Sequence, residues 1–388
     1  MIEALIALVL FVFLKLFHSN LLTRAFLKSR KQIVEAKSVN ELALPTDGSK
    51  EWGVSVIVCI RNGEDDWPIL WEALRNQKVS MPIEVIVVDD GSIDGTPNSL
   101  SQSVQSQDSL RLRVYRLDGT APGKKQALAF GVNQAKYSAL LFTDVDCKPV
   151  GPDWVENMVR PLLGGADVTL GLGFPSEQKP FNGLAKLQAL DALLIARSYI
   201  GWSVLGHPYM AVGRNWAMQK AIFPGFQGQD ALVSGDDDMA LQAIVKHKAA
   251  VVANNIDRKA QVDTSLPMSW ESWSRQKRRH WSTAPYYSLK DQMRLMIPRV
   301  LNLMIAITSI IAAVIAIRAG VLHNGIWIIP VMIMIAWMNE VLNFRKIADA
   351  CQSPSSWRTL GWYVPMWSLW NLWLFGVTIL NPPKKEEW

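Results

Sequence analysis

Ile83-Glu-Val-Ile-Val-Val-Asp-Asp-Gly-Ser92 is the stretch whose reading decides the fold. Six residues dominated by β-branched side chains stop at two aspartates and a Gly-Ser pair, the pattern of a buried strand ending in a turn. Upstream, Val54-Ser-Val-Ile-Val-Cys-Ile60 reads the same way and leads into a helical stretch at about 67–76. Downstream, 112–115 is a third strand, about 124–135 a helix, and Ala139-Leu-Leu-Phe142 a fourth strand that stops at Asp144-Val145-Asp146. Strands and helices alternating at this spacing predict an α/β domain, a mostly parallel sheet with helices on both faces. Ligands of such sheets bind at the carboxyl ends of the strands, where these acidic residues cluster.

One carboxylate at a strand end is ordinary turn chemistry. Two strand ends carrying Asp89-Asp90-Gly-Ser and Asp144-Val145-Asp146 say more. Alternate residues of an extended segment point the same way, so Asp144 and Asp146 are expected to face one cation. Hard divalent ions prefer oxygen ligands and hold substrate phosphates beside them, which places a nucleoside diphosphate between that metal and the strand ends.

Composition sets the frame around this domain. Of 388 residues, 49% are hydrophobic and 19% charged, against about 25% charged in an average soluble protein. A small secreted module, a disordered chain and a collagen-like repeat are excluded. Seventeen Trp against seven Tyr suit a chain that meets a bilayer, where indoles favour the headgroup level. The net charge of +6 is compatible with nucleic acid, an anionic membrane or a phosphorylated substrate. Because the basic residues border apolar runs instead of interleaving with aromatics on a soluble face, no nucleic-acid partner is expected. Cys59, Cys147 and Cys351 lie far apart with no CxxC, which fits free thiols in a reducing cytosol.

Residues 4–14 are uninterruptedly apolar, and the character resumes past Lys15 to Phe17. The stretch opens with Glu3, not a basic region, and no small-x-small cleavage site follows, so a retained signal anchor is expected over a cleaved signal peptide. Arg24, Lys28, Arg30, Lys31 and Lys37 follow it and place that side in the cytoplasm. Stretches 300–317, 319–339 and 359–383 contain no Asp, Glu, Lys or Arg, and each is long enough to span. Four spans are therefore expected, with 24–299 and the Arg345–Arg358 loop cytoplasmic.

Six segments then stand in a telling order: Val56-Ile-Val-Cys-Ile-Arg-Asn62, Val87-Val-Asp-Asp-Gly-Ser92, Gly123-Lys-Lys-Gln-Ala-Leu128, Thr143-Asp-Val-Asp146, Gly235-Asp-Asp-Asp238 and Gln276-Lys-Arg-Arg-His-Trp281. Together they resemble the motif set of glycosyltransferase family 2, in its membrane-bound branch of lipid glycosyltransferases and polysaccharide synthases. The resemblance implies a GT-A fold, a nucleotide-sugar donor and inversion at the anomeric carbon. It also implies donor contacts from Arg61, Asp89, Asp90, Lys125 and Asp144, and Mg²⁺ or Mn²⁺ held by Asp144 and Asp146. The later acidic motif would supply the general base from Asp236, Asp237 or Asp238, with Asp237 favoured, and Gln276, Arg279 and Trp281 would complete the catalytic set. Two departures stand out: Cys59 where the family often has Pro with an extra Gly63 before Glu64, and His280 intervening between Arg279 and Trp281.

The domain organisation that follows is a membrane anchor at 1–23, a cytosolic linker at 24–52, and a GT-A catalytic domain at 53–265. An amphipathic interfacial segment at 266–299 and three transmembrane helices at 300–388 complete it. The basic run 275–280, flanked by Trp270, Trp273 and Trp281, suits a helix at the membrane surface whose arginines meet a leaving pyrophosphate. The apolar face at 181–204 (Leu184, Leu187, Leu190, Leu194) reads equally as a core helix or an interfacial one, and Gly213-Arg-Asn-Trp216 equally as a ligand contact or a turn. The expected activity is transfer from a nucleotide sugar, UDP-linked before GDP-linked, to a lipid acceptor at the cytoplasmic face of the cell membrane. The rival is a processive polysaccharide synthase of the poly-N-acetylglucosamine or hyaluronan type with a saccharide acceptor. A rival of another class is a non-catalytic nucleotide-binding membrane scaffold.

Overall fold

The computed structural model describes residues 1–38, 52–105, 110–117, 123–176, 182–225, 235–247, 249–319 and 326–381. Part of the expected linker (39–51), a few positions inside the expected second C-terminal span (320–325) and the end of the chain lie outside the described residues, whereas the linker's first part, 24–38, continues the helix of the expected anchor. In chain order the elements are α1 (Ile2–Ser38), β1 (Val54–Ile60), α2 (Trp67–Arg75), β2 (Ile83–Asp89), α3 (Thr96–Gln105), β3 (Arg111–Arg116), α4 (Lys124–Gln134), β4 (Ala139–Asp144), β5 (Cys147–Pro149), α5 (Trp154–Leu163), β6 (Val168–Leu170), β7 (Gly173–Pro175) and α6 (Gly183–Val204). They continue with β8 (Trp216–Gln219), α7 (Asp236–His247), β9 (Val252–Asn254), β10 (Val262–Thr264), α8 (Trp270–Trp281), α9 (Leu289–Arg318), α10 (Ile328–Ala350) and α11 (Val364–Leu380). They fall into two units: an α/β unit, Lys28–Gln178 with Trp202–Pro267, and a helical unit, Met1–Leu27 with Lys179–Gly201 and Met268–Trp388.

The α/β unit is built on a seven-stranded sheet in the order β3-β2-β1-β4-β8-β6-β9. The four strands expected from sequence are parallel neighbours, with Val56 opposite Val85 on one side and Leu141 on the other. Only β8 runs against its neighbours β4 and β6. Strand order reverses at β1, with β2 on one side and β4 on the other, so the loops leaving β1 and β4 diverge and open a crevice at the carboxyl edge.

Alternation along β1 explains why both faces are covered. Val54, Val56, Val58 and Ile60 join Val85, Val87 and Leu141 in one core, filled by Trp67, Trp71 and Leu74 of α2 and Trp154, Met158 and Leu162 of α5. On the other face α4 presses so close that a Cβ on Gly131 would sit 3.0 Å from Ile57 and 3.3 Å from Val88. A second, small sheet, β5-β10-β7, carries the chain onward from the β4 edge. Val145 and Asp146 form the turn between β4 and β5. The expectation that Asp144 and Asp146 alternate along one extended strand is corrected: Asp144 closes the strand and Asp146 sits in the turn.

In the helical unit, three helices among the described residues are long and apolar enough to cross a membrane: Ile2–Arg30, Leu289–Arg318 and Ile328–Ala350. The fourth expected span becomes a 3₁₀ stretch, Ser355–Tyr363, followed by the 17-residue α11, short of the roughly 20 residues a span needs. The second C-terminal span also differs from the charge-free stretch 319–339, because α10 runs on through Glu340, Arg345 and Lys346. Glu340 is tolerated there because it is paired: Arg197 of α6 donates to it at 2.8 Å and to Ser19 of α1 at 2.9 Å, while Asn343 reaches Ser19 at 3.0 Å. Leu8 and Val12 of α1 pack with Ile305 of α9 and Ala336 of α10. Apolar side chains such as Ile310 and Ile317 remain exposed on α9, as a lipid-facing helix requires.

Candidate active site

The three loops at the carboxyl edge of the α/β unit are laced together by their own polar groups. Asn62 takes a left-handed conformation (φ 53°) just past β1. Its backbone N–H donates to Ser92 Oγ at 2.9 Å, and its side-chain oxygen accepts from the Ile93 N–H at 3.0 Å. The Gly63 N–H donates to Thr96 Oγ1 at 2.9 Å, and Glu64 accepts the Gly95 N–H at 2.9 Å. The Asn-Gly-Glu segment, unusual by resemblance, thus fixes the β1 loop against the β2 loop.

Asp89 and Asp90 divide their work. Asp89 is buried and fully engaged, accepting the Ser92 N–H at 2.8 Å and Arg116 Nη1 at 2.8 Å. Asp90 accepts the Gly123 N–H at 3.0 Å and so anchors the start of α4. Burial pushes the Asp90 carboxyl above its usual range, with that hydrogen bond opposing. Arg61 stands exposed after β1 and acts on Asp90 through its charge.

The start of α4 places two lysines at a helix N-terminus, the end whose dipole repels cations. Carboxylates offset this. Lys124 Nζ lies 2.6 Å from Asp144 Oδ1, and Lys125 Nζ lies 3.4 Å from Asp236 Oδ1. Desolvation works against the Lys124 charge, yet the Asp144 and Asp237 carboxylates overrule it and raise its pKa. Lys125, the expected donor contact, thus sits beside Asp236, and Lys124, its neighbour in the same motif, reaches Asp144.

Asp146 lies beside Thr264 Oγ1 at 3.4 Å. Burial first, and then the charge of Asp144, raise its pKa, against Arg214 and Lys124. A buried carboxylate whose proton affinity is raised beside a second carboxylate gains from a cation. Among the described residues no group of three His, Cys, Asp or Glu side chains converges on a metal position. The pair therefore suits an ion that takes its remaining ligands from phosphate and water, as Mg²⁺ and Mn²⁺ do.

Asp236, Asp237 and Asp238 form the first turn of α7 after Gly235 (φ 86°). Asp236 and Asp238 are buried, whereas Asp237 keeps part of its surface open. The Asp237 carboxylate occupies the space beside Gly213, where an added Cβ would stand 2.0 Å from Oδ2. Burial pushes Asp237 up to about 7, with Lys124 opposing and Asp236 and Asp144 reinforcing. A carboxyl poised there is half ionised near neutral pH.

The segment 213–216 supports this arrangement from below. Asn215 is fully buried, accepting Trp154 Nε1–H at 3.0 Å and donating to the carbonyls of Leu172 and Ala260, each at 2.7 Å. Arg214 lays its stem over Gly173 and directs its charge at Asp146. No sequence signal separated this hub from an ordinary turn.

Gln276, Arg279 and Trp281 belong to α8 in the helical unit. The Lys277 ammonium and the Arg299 guanidinium lie 5.7 and 5.8 Å from the centroid of the Trp281 ring, which meets Phe375 edge-on. Lys277 pairs with Asp191 of α6 at 2.8 Å, and Trp367 Nε1–H donates to the same carboxylate at 3.0 Å. Trp273 stacks on Trp370 at 3.9 Å.

Residues 55–223 match the model of Glycosyl transferase family 2. The chain is 34% identical over 119 residues to a hyaluronan synthase of Pasteurella multocida, an alignment covering 30% of this chain and 12% of the synthase. It is 31% identical over 120 residues to the glycosyltransferase AglE of Haloferax volcanii, covering 30% of this chain and 38% of that protein. The chain thus spans well under half the length of these relatives. Its fold is shared with a mannosyltransferase of Pyrobaculum calidifontis solved in complex with GDP-Man and Mn²⁺, at a TM-score of 0.51 and 16% identity over 92% of this chain and 99% of that one.

Proposed function

We propose that this glycosyltransferase transfers a sugar from a UDP-linked donor to a lipid hydroxyl at the cytoplasmic face of a membrane, with inversion at the anomeric carbon. The observation that carries the reading is Asp237: a carboxyl held against Gly213 with its pKa near 7, beside Lys124 and the Asp144-Asp146 pair. Asp237 accepts the proton of the acceptor hydroxyl as its oxygen attacks the anomeric carbon from the face opposite the diphosphate. Lys124 and Lys125, with the N–H groups at the start of α4, receive the negative charge that gathers on the leaving diphosphate. Asp144 and Asp146 would hold Mg²⁺ or Mn²⁺, which supplies Lewis-acid stabilisation of that same leaving group. Arg61 and Asp90 face the nucleoside, while Asp89, fully engaged with Ser92 and Arg116, holds the loop that carries Asp90.

A lipid acceptor fits a helical unit whose interior charges are neutralised in pairs, Arg197 with Glu340 and Lys277 with Asp191. It also fits the exposed apolar flank of α9. Gln276, Arg279 and Trp281 on α8 keep the catalytic assignment that the motif resemblance gives them. The similarity to a hyaluronan synthase favours one second reading, extension of a saccharide chain. The grouping of Asp144, Asp237 and Lys124 speaks against the scaffold reading.

The test is release of nucleotide by the purified full chain from a panel of UDP- and GDP-sugars, with and without extracted lipid. The expected result is UDP release that depends on lipid, with a labelled product that partitions into organic solvent as one or two species. A water-soluble, polydisperse product made without lipid would establish the synthase reading instead, and no nucleotide release from any donor would leave the scaffold.

A further inference from the structure

Lys124 stands where a cation of the reaction would be expected. Its ammonium is 2.6 Å from Asp144 Oδ1, and its charge is felt at Asp146, Asp236 and Asp237 as well. Its neighbour Lys125 points instead to Asp236. Four carboxylates of the crevice therefore share one long, flexible side chain whose surface is 46% exposed, and no third His, Cys, Asp or Glu closes a metal site with Asp144 and Asp146 among the described residues. A side chain so placed has somewhere else to go: a diphosphate arriving at the start of α4 offers the same ammonium a stronger anion.

We propose that Lys124 is a resident counter-cation of the Asp144-Asp146 pair, which a divalent metal displaces from Asp144 only when a nucleoside diphosphate is present to receive it. The proposal rests on the assignment of Asp144 and Asp146 as metal carboxylates. Its consequence is thermodynamic coupling. Metal alone binds weakly because it has to evict an ammonium, nucleotide alone binds to Lys124 and Lys125, and each ligand strengthens the other by the same factor. A hard cation without its donor is thereby kept out of a carboxylate-rich crevice.

The experiment measures Mn²⁺ binding to the full chain in detergent by loss of the free-ion electron paramagnetic resonance signal, with no nucleotide and with saturating UDP or GDP as probes. Replacing Lys124 by Gln removes one positive charge about 3 Å from a metal ligand, so Mn²⁺ binding without nucleotide is expected to tighten about fivefold or more. The strengthening by UDP is expected to shrink by the same factor. Lys124→Met repeats the neutralisation with different packing, and Lys124→Arg, which keeps the charge, is expected to bind Mn²⁺ as weakly as the wild-type chain. Unchanged or weaker Mn²⁺ binding in both neutral variants, with Asp146→Asn still abolishing it, overturns the proposal and leaves the metal site intact. Mn²⁺ binding that survives Asp146→Asn overturns the metal assignment itself, and the proposal with it.

Discussion

Replacing Asp237 by Asn is expected to remove activity and add stability at the same time. In the folded chain burial raises this carboxyl from 3.8 to about 7. Below pH 3.8 the group is protonated in both states and costs nothing. Between 3.8 and about 7 the unfolded chain gives up its proton while the folded chain keeps it, so stability falls as pH rises, and above 7 the full cost is present. At about 1.4 kcal/mol per pH unit the displacement amounts to about 4 kcal/mol, and discounting by half for the part of the carboxyl open to solvent leaves about 2 kcal/mol. Asparagine keeps the shape and never carries the charge. Thermal unfolding of the detergent-solubilised chain in chelator at pH 8 is therefore expected to show Asp237→Asn melting about 4–8 °C higher than wild type, the two converging toward pH 4. The same variant is expected to lose about 10²–10⁴-fold in kcat, and the wild-type kcat/KM is expected to rise tenfold per pH unit up to about pH 7. An Asp237→Asn chain that is no more stable than wild type at pH 8 refutes the claim that this carboxyl is held ionised at a cost.

Three other outcomes follow from the same geometry. Asp146→Asn removes one of the two carboxylates assigned to the cation, and turnover is expected to collapse while UDP binding is no longer strengthened by Mn²⁺; full activity in excess chelator would contradict it. Gly213→Ala brings a methyl to 2.0 Å from Asp237 Oδ2, so the carboxylate has to swing aside and kcat is expected to fall by about 10²-fold with KM nearly unchanged; an unaltered kcat would show that the base does not use this seat. Asn215→Ala strips partners from Trp154 Nε1–H and the Ala260 carbonyl, at about 1–3 kcal/mol each, and a melting temperature within a degree of wild type would mean that other groups fill in.

β1 and β2 were legible because each is a nearly continuous β-branched run, β2 stopping at Asp89-Asp90-Gly91-Ser92, and parallel strands covered on both faces have to read that way. The strands from β5 onward are three or four residues long, too short for a period to show. At the crevice, sequence identified which segments converge but not how they share charge. Asp89 and Asp90 are adjacent and alike in the motif, yet Arg116, at the end of β3, commits Asp89 to the framework. Lys124 and Lys125 are equally plausible phosphate contacts until the helix turn aims one at Asp144 and the other at Asp236. Asn215 carries no motif at all, because its three partners come from chain positions 154, 172 and 260. The second C-terminal span runs beyond its charge-free stretch for a similar reason: α10 continues through Glu340, whose partner Arg197 lies 143 positions earlier in the chain.

That pairing bears on how the chain is made. A solitary ionised side chain costs about 2.5–3.5 kcal/mol to insert at the centre of a span. By the time Glu340 leaves the ribosome, Ser19 and Arg197, which satisfy it, have already been synthesised. The translocon can therefore hand α10 to a waiting guanidinium, and the order of synthesis supplies the partner before the cost arises. Severed from the first 200 residues, the last helices are not an interchangeable anchor but half of a lock, and a chimera that borrows them without α1 and α6 inherits an unanswered carboxylate in the bilayer.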